Sequence, residues 1–150
     1  MRAVAQRVSE AQIRVGGEVV GEMGAGLLAL VGVAAGDGEA DARELAAKLV
    51  NLRVFPDAEG RMNRSLLESG GALGVVSQFT LLADTKKGRR PFYGAAAAPE
   101  VAEALIAALV DAARAAGVTV ITGRFGATMR VALVNEGPVT LLLDTRPVPG

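Results

Sequence analysis

Residues 129–143 read MRVALVNEGPVTLLL, in which two runs of β-branched and aliphatic residues flank the pair Gly137-Pro138. Such runs, bounded by turn residues, are typical of β-strands. Because proline cannot donate to a central ladder, we expect the pair to connect two strands, and its spacing favours a hairpin turn. A second interpretation is a special backbone geometry, since glycine allows positive φ and an X-Pro bond can be cis. A cis bond here would turn two adjacent carbonyl oxygens the same way, as a rigid wall against a substrate of the wrong shape.

The composition limits the chemistry that is available to the protein. The chain has 150 residues, a length that suits one domain, and its formal net charge at pH 7 is zero. A zero charge argues against a generally basic surface but allows a local basic patch. The sequence has no cysteine and no histidine, which excludes disulfides, a thiolate zinc site, a cysteine nucleophile and a Ser-His-Asp triad. Any chemistry must therefore use backbone groups, hydroxyls, amides, carboxylates, arginine, lysine or the substrate itself.

The N-terminal residues alternate between polar and apolar instead of forming the apolar core of a signal peptide. No apolar run reaches the length of a membrane span. We therefore expect a cytoplasmic protein with no membrane partner, and no residue cluster predicts a metal or a cofactor.

The remaining periodicity predicts a chain rich in strands, with two main helices. A first helix is expected to start at Asp37 as its N-cap and to end near Asn51, and a second to run from Pro99 to about Ala116. Residues 61–71 are predicted to be an irregular link. Besides the strands around Gly137-Pro138, strands are predicted over 3–15, 18–23, 27–33, 52–55, 73–82 and 118–122.

The predicted strand 73–82 contains Ser77, Gln78 and Thr80 within an apolar run. Buried hydroxyl and amide groups need hydrogen-bond partners, so polar residues at this place need a reason. One interpretation is an edge or bend at which these side chains reach water, and the other is a pocket. The run is not a G-x-S-x-G nucleophile elbow, which would also need a histidine.

A basic loop follows this strand. Residues 84–91 include four cations and are predicted to be either a solvated loop or a phosphate-contacting patch. The cations are Lys86, Lys87, Arg89 and Arg90.

Two motifs, Ser77-Gln78-Phe79-Thr80-Leu81 and Asn135-Glu136-Gly137-Pro138-Val139-Thr140, together resemble the D-aminoacyl-tRNA deacylase family. The resemblance extends to residues 1–9, 87–91 and 123–127. It implies one α/β domain over residues 1–145, with a compact, barrel-like and mostly antiparallel sheet and two main helices packed on it. Residues 146–150, which are proline-rich, are expected to form a disordered tail.

The family resemblance also implies an activity. The expected reaction is hydrolysis of the ester that joins a D-amino acid, or glycine, to the 3′ end of tRNA, a proofreading step in translation quality control. It implies a homodimer with active sites at its interface, and no cofactor. The implied site comprises Ser77, Gln78, Phe79 and Thr80 around the reacting ester, Gly137 and Pro138 entering the partner's pocket for chiral selection, and Arg7, Phe125, Ala127 and Met129 nearby.

Without a histidine, two mechanisms remain open. In the first, the 2′-hydroxyl of the terminal ribose assists the attacking water while the backbone N–H groups near Phe79 and Thr80 stabilise the oxyanion. In the second, the Thr80 hydroxyl is a nucleophile, although no residue is evident that would deprotonate it. A different class of function, a dimeric module that binds aminoacylated tRNA ends without cleaving them, is the alternative to an enzyme.

Overall fold

A six-stranded sheet forms the centre of the computed structural model, which describes residues 1–146. Two further strands, β4 (Phe55–Pro56) and β5 (Met62–Arg64), form a small separate sheet. No helix in the described range is long and apolar enough to cross a membrane. The strands are β1 (Arg2–Val15), β2 (Glu18–Met23), β3 (Gly26–Gly32), β4 (Phe55–Pro56), β5 (Met62–Arg64), β6 (Ala72–Ser77), β7 (Val120–Thr122) and β8 (Arg130–Asp144), and the helices are α1 (Glu39–Asn51), α2 (Leu66–Ser69) and α3 (Pro99–Ala115).

Strand β1 organises the sheet because three other strands pair with it. Its first half pairs with β3 and its second half with β2, both antiparallel and both on one edge. Strand β8 pairs antiparallel with the other edge along nearly the whole length of β1. The 14 residues of β1 therefore provide a template long enough for two strands on one side and one long strand on the other.

The sheet continues through two parallel pairs, β3 with β6 and β6 with β7, and then curls back toward β2. Gly21 of β2 faces the carbonyl oxygen of Thr122 in β7, where an added Cβ would lie only 2.9 Å from that oxygen. The missing side chain allows this close approach, so that the sheet is nearly closed. The predicted fold class, a barrel-like and mostly antiparallel α/β domain with two main helices, is confirmed.

Both faces of the central strands are buried, which explains their continuous apolar runs. Leu27 of β3 belongs to a core shared with α1 and α3, to which Leu49 and Leu109 contribute. The next residue, Leu28, points to the opposite face and packs in a second core with Ile13. Helices α1 and α3 therefore cover one side of the sheet, as the family resemblance implies.

The hairpin predicted at Gly137-Pro138 is wrong, because the two apolar runs are one strand. Val8 of β1 pairs with Asn135, and Gln6 pairs with Thr140, so that residues 136–139 lie opposite Arg7 alone. The chain leaves the ladder as a wide bulge and then rejoins the same partner strand in the same direction. A hairpin would need a second partner, whereas β1 is long enough to bind both runs.

The predicted strand 73–82 is also too long. Strand β6 ends at Ser77, which pairs with Val31 close to the end of its parallel neighbour, and a 3₁₀ helix follows at Phe79–Leu82. Gly32 makes this turn possible, since a Cβ there would lie 2.4 Å from Leu82 Cδ2. The polar residues of the run therefore lie at the end of a strand, as in the interpretation of a bend.

Three smaller expectations are corrected or completed by the structure. The N-cap of α1 is Gly38, because the Asp37 carboxylate turns away to accept the Ala34 N–H at 2.7 Å. The link 61–71 contains β5 and α2, and the helix carries a capping box of Ser65 and Glu68. Of the predicted tail, Arg146 contacts Asp41, and residues 147–150 lie outside the described range.

Candidate active site

A pocket of about 490 Å³ opens where β6 ends. Its lining includes six residues that the sequence predicts for the site, namely Ser77, Gln78, Phe79, Phe125, Ala127 and Met129. The other residues of the lining are Val33, Val76, Ala96, Ala97, Pro99, Ala102, Gly126 and Val131. None of these side chains is charged, so the lining offers neither a carboxylate nor an amine as a general base.

The turn between β7 and β8 holds one wall of this pocket. The Ala127 N–H donates to the Arg124 carbonyl at 3.2 Å, and Gly126 has a φ of 77°, a conformation that favours glycine. Met129 packs over Gly123, where an added Cβ would lie 2.3 Å from the methionine sulfur. A larger residue at position 123 would therefore displace Met129 from the wall.

The N–H groups of Phe79 and Thr80 begin the 3₁₀ helix beside the pocket. The N–H groups that follow are used, because Leu81 donates to the Gln78 carbonyl at 3.2 Å and Ala83 to the Thr80 carbonyl at 3.1 Å. Within residues 1–146, neither the Phe79 nor the Thr80 N–H donates to a protein acceptor. Two main-chain donors are thus available to a bound ligand.

The Thr80 side chain is exposed and does not line the pocket of its own chain. Its hydroxyl oxygen accepts a hydrogen bond from the Gln78 side-chain amide. An amide N–H cannot take a proton from the hydroxyl, so this contact does not activate Thr80 as a nucleophile.

The β8 bulge, residues 136–139, projects from the sheet with Gly137 and Pro138 at its exposed tip. The peptide bond between these two residues is cis, and Gly137 has a φ of 136°. The Asn135 side chain closes the base of the bulge by accepting the Val139 N–H at 2.8 Å. Gly137 and Pro138 do not line the pocket of the same chain.

Arg7 supports the bulge from the neighbouring strand. Its Nε donates to the Glu136 carbonyl at 2.9 Å, and its Nη1 donates to the Val54 carbonyl at 2.6 Å. The guanidinium thereby joins the bulge to the segment that leads into β4, and it lies outside the pocket lining.

The basic loop follows the 3₁₀ helix, and its two ends are joined by hydrogen bonds. Asp84 and Phe92 exchange two backbone hydrogen bonds, of 2.7 and 2.9 Å, which hold the ends of the loop together. The Asp84 carboxylate accepts the Lys86 N–H at 2.9 Å. All four predicted cations, Lys86, Lys87, Arg89 and Arg90, are exposed.

The segment that follows this loop contributes to the site although no sequence pattern predicted it. The Tyr93 ring meets Phe79 edge-on, with 5.1 Å between ring centroids, at the edge of the pocket. Ala96 bridges Ala34, and the Ala97 N–H donates to Val33 at 2.9 Å, which brings both alanines into the lining. The only signal in the sequence was the pair of adjacent aromatic residues, Phe92 and Tyr93, in a chain with few aromatics.

A second depression, of about 660 Å³, lies over β1, β2 and β8. None of the predicted site residues borders it, and its lining includes Glu10, Gln12 and Glu22. The pocket at the end of β6 is therefore the better candidate for the active site.

Comparisons with known proteins agree with the resemblance stated above. The profile of the family described as D-Tyr-tRNA(Tyr) deacylase matches residues 4–144. A D-aminoacyl-tRNA deacylase of Roseiflexus sp. (strain RS-1) is 61% identical over 145 residues, which are 97% of this chain and 94% of that protein. The enzyme of the same name from Syntrophotalea carbinolica is 55% identical over 99% of both chains.

Two solved structures share the fold. One, titled c-Myc DNA Unwinding Element Binding Protein, is 34% identical, with a TM-score of 0.93 over 98% of this chain and 100% of its own. The other, titled a probable eukaryotic D-amino acid tRNA deacylase, is 20% identical, with a TM-score of 0.81 over 95% of this chain and 97% of its own, and supports the fold alone. The family profile spans most of the chain, and the two relatives named above are more than 50% identical to it in sequence. The chain therefore belongs to the D-aminoacyl-tRNA deacylases, a family of hydrolases.

Proposed function

We propose that this protein hydrolyses the ester of D-aminoacyl-tRNA, releasing the free D-amino acid and tRNA, as a cytoplasmic proofreading enzyme. The observation that carries the proposal is the uncharged pocket at the end of β6, with the unused N–H groups of Phe79 and Thr80 beside it. Such a site suits a reaction in which the protein positions an ester and stabilises an oxyanion without a general base of its own. Membership of the family supports the same substrate class.

The active unit is a homodimer in this proposal. The tip of the β8 bulge is exposed, and Gly137 and Pro138 do not line the pocket of their own chain, so we assign them to the pocket of a second copy. The exposed row of β8 supports a subunit contact, because Leu142 is 76% and Val134 47% exposed. Large apolar side chains exposed along one strand are typical of a surface that another chain covers.

In the proposed mechanism the substrate supplies the missing base function. Water attacks the ester carbonyl carbon, and the 2′-hydroxyl of the terminal ribose orients it and relays its proton toward the departing 3′-oxygen. The carbonyl oxygen becomes an oxyanion that accepts hydrogen bonds from Phe79 and Thr80 N–H. The new C–O bond then remains in the released carboxylate, while the 3′-oxygen leaves as the tRNA hydroxyl. Ser77 and Gln78 contribute polar contacts to the amino acid and its ester.

Chirality is selected by exclusion. The partner's Gly137 and Pro138 carbonyl oxygens would lie on the side of the substrate α-carbon where an L side chain projects, whereas a D side chain points to solvent. A wall of this kind penalises the wrong enantiomer without a new attraction for the right one. It cannot reject glycine, which has no side chain, so glycyl-tRNA is also a substrate in this account.

The basic loop is assigned to the phosphates of the acceptor end. The loop exposes four cations, Lys86, Lys87, Arg89 and Arg90. The Asp84 carboxylate at the base of the loop accepts a hydrogen bond from the Lys86 N–H. Contacts of this kind increase affinity without reading the base sequence.

The alternative is a dimeric module that binds aminoacylated tRNA ends without cleaving the ester, and one observation favours a binding function. The solved structure with a TM-score of 0.93 is named for binding a DNA unwinding element. Against it, the chain forms a pocket of about 490 Å³ at the end of β6, whereas a pure binding platform needs only an open surface.

Release of the amino acid from D-tyrosyl-tRNA separates the two functions. The enzyme should discharge D-tyrosyl-tRNA rapidly, glycyl-tRNA measurably and L-tyrosyl-tRNA at the uncatalysed rate. A binding module would instead slow the spontaneous loss of D-tyrosine. A discharge of both enantiomers at equal rates would contradict chiral selection while leaving hydrolysis itself intact.

A further inference from the structure

Phe92 is an exposed aromatic residue that the mechanism does not use. The chain has four phenylalanines, one tyrosine and no tryptophan. Phe55 is buried in the core, whereas Phe79 and Phe125 line the pocket and Tyr93 packs against Phe79. Phe92 is adjacent in sequence to Tyr93 and is 68% exposed, the highest exposure among the aromatic residues.

The ring of Phe92 is held in place although it is exposed. Its backbone exchanges two hydrogen bonds with Asp84, and its ring covers Gly94, where an added Cβ would lie 2.4 Å from two ring atoms. One side of the ring therefore lies against Gly94, while most of the residue remains exposed. Ordering an exposed ring in this way removes conformational freedom before a ligand binds, which favours binding.

The charge around Phe92 indicates the class of ligand. The loop that its backbone closes carries the four exposed cations, Lys86, Lys87, Arg89 and Arg90. An open aromatic face beside several cations is the combination that single-stranded nucleic acids bind, with the base on the ring and the phosphates on the cations. The four clustered cations favour a polyanion over a second copy of this chain, whose formal net charge is zero.

We propose that Phe92 stacks an unpaired base of the tRNA acceptor end, upstream of the terminal adenosine. This inference rests on the proposed function, because Phe79 and Tyr93 connect Phe92 to the pocket that would hold the esterified adenosine. Stacking of one base on an aromatic side chain contributes about 5- to 150-fold to affinity. Phe92 is thus a positioning residue that acts on binding of the nucleic acid and not on the reacting ester.

The test compares two substrates that share the ester but differ in the upstream nucleotides. With D-tyrosyl-tRNA, Phe92→Ala is expected to raise KM about tenfold and to change kcat little, whereas Phe92→Trp should keep the wild-type KM. With D-tyrosyl-adenosine, which has no upstream base, wild type and Phe92→Ala should react alike. Met62→Ala, which truncates a 58% exposed side chain in β5, is the matched control and should resemble the wild type with both substrates.

A second variant displaces the ring without removing it. Gly94→Ala places a methyl group against the side of the Phe92 ring that lies on Gly94, so it should raise KM for the tRNA and leave KM for the adenosine ester unchanged.

The salt dependence of binding distinguishes stacking from charge. Phe92→Ala should shift the plot of log affinity against log salt without changing its slope, whereas Lys87→Ala should reduce the slope by about 0.7.

The outcomes separate this inference from the proposed function. An unchanged KM of Phe92→Ala for D-tyrosyl-tRNA, or an equal loss with the adenosine ester, would overturn the stacking role. If the wild type releases no D-tyrosine, the proposed hydrolysis fails, and affinity for a single-stranded oligonucleotide ending in CCA then decides the stacking role. Binding of that oligonucleotide should weaken about tenfold in Phe92→Ala, and equal binding would contradict the inference.

Discussion

Arg7 donates from Nε to the main-chain oxygen of Glu136 over 2.9 Å, and so ties the middle of β1 to the residue just before Gly137-Pro138. The same guanidinium donates from Nη1 to Val54, so its position is determined from two sides. A lysine carries the same charge but cannot direct two donors in the fixed planar geometry of a guanidinium. The bulge therefore depends on the shape of Arg7 as well as on its charge.

Arg7→Lys is expected to lower kcat/KM for D-tyrosyl-tRNA by at least about tenfold, because a hydrogen bond from a charged donor contributes about 1.5–3 kcal/mol. Steady-state hydrolysis measures the loss. Arg14→Lys is the matched control, since Arg14 lies on the same strand and, among residues 1–146, its guanidinium donates hydrogen bonds only to Gln12 and Gly17. Equal activity of Arg7→Lys and wild type would show that the bulge keeps its position without the guanidinium.

Mixed dimers test whether each pocket is completed by the partner's bulge. Gly137→Ala should be inactive, because the residue has a φ of 136° and an added Cβ would lie 3.0 Å from both Arg7 Nη2 and Val139 Cγ2. Ala127→Trp should be inactive because the indole would fill the pocket. A dimer with one chain of each type has one intact combination of pocket and bulge.

Mixing the two inactive variants under conditions of subunit exchange is therefore expected to restore about a quarter of the wild-type activity, since half of the dimers are mixed and each has one intact site. Co-purification through different tags confirms that mixed dimers form. If mixed dimers form and remain inactive, each bulge serves its own chain and the shared site is wrong.

Thr80→Ala should retain substantial activity, within about tenfold of wild type in kcat, because the side-chain contact of Thr80 is the Gln78 amide and not a base. Loss of a true nucleophile costs far more, at least about 10³-fold. Single-turnover hydrolysis of D-tyrosyl-tRNA distinguishes these magnitudes, with Thr85→Ala in the exposed loop as control. An inactive but folded Thr80→Ala enzyme would favour the nucleophilic mechanism.

The stability of the fold is expected to depend on Asp41 at acid pH. The side-chain hydrogen bond from Arg146, followed by those from Gly38 N–H and Thr145, holds the pKa of Asp41 well below its usual range. A carboxyl whose pKa is lowered by folding contributes stability above its unfolded pKa of about 3.9, and that contribution is lost as pH falls toward the folded value.

Urea unfolding between pH 7 and pH 3 measures this contribution. Asp41→Asn should have a lower free energy of unfolding than the wild type at pH 7. The difference between the two free energies should decrease below about pH 4, because the stabilising contribution of the wild-type carboxylate is lost there. Asp111→Asn, on the exposed side of α3, is the control. If the difference in unfolding free energy between Asp41→Asn and the wild type does not change with pH, the carboxylate charge of Asp41 does not stabilise the fold.

Much of the architecture could be predicted from residue patterns, because strands such as β1 and helices such as α3 have strong periodicity and clear ends. The error at Gly137-Pro138 has a physical cause. A proline between two apolar runs fits a hairpin or a bulge equally well, and the choice depends on the length of the partner strand. The end of β6 was misjudged for a similar reason, since room for the 3₁₀ turn is provided by Gly32 on a neighbouring strand.

The site shows the same division between local pattern and tertiary structure. Ser77 and Gln78 stood out because polar residues in an apolar run are unusual, although that pattern fitted a bend as well as a pocket. The family resemblance assigned them to the site and added Phe79, Phe125, Ala127 and Met129. The edge-on contact of Phe79 and Tyr93 could not be predicted, because it requires the loop to fold back beside the 3₁₀ helix. No sequence pattern predicts that the segments containing Phe79 and Tyr93, which the basic loop separates, will contact each other.

In the proposed mechanism the protein provides position and polarity, while the terminal ribose of the tRNA assists the water. The most direct test of this mechanism is the rate of discharge of D-tyrosyl-tRNA that ends in 2′-deoxyadenosine, compared with the same tRNA ending in adenosine. We expect the 2′-deoxy substrate to bind with similar affinity and to react at least about 10²-fold more slowly. Equal rates for the two substrates would contradict the account, because a group of the protein would then have to activate the water.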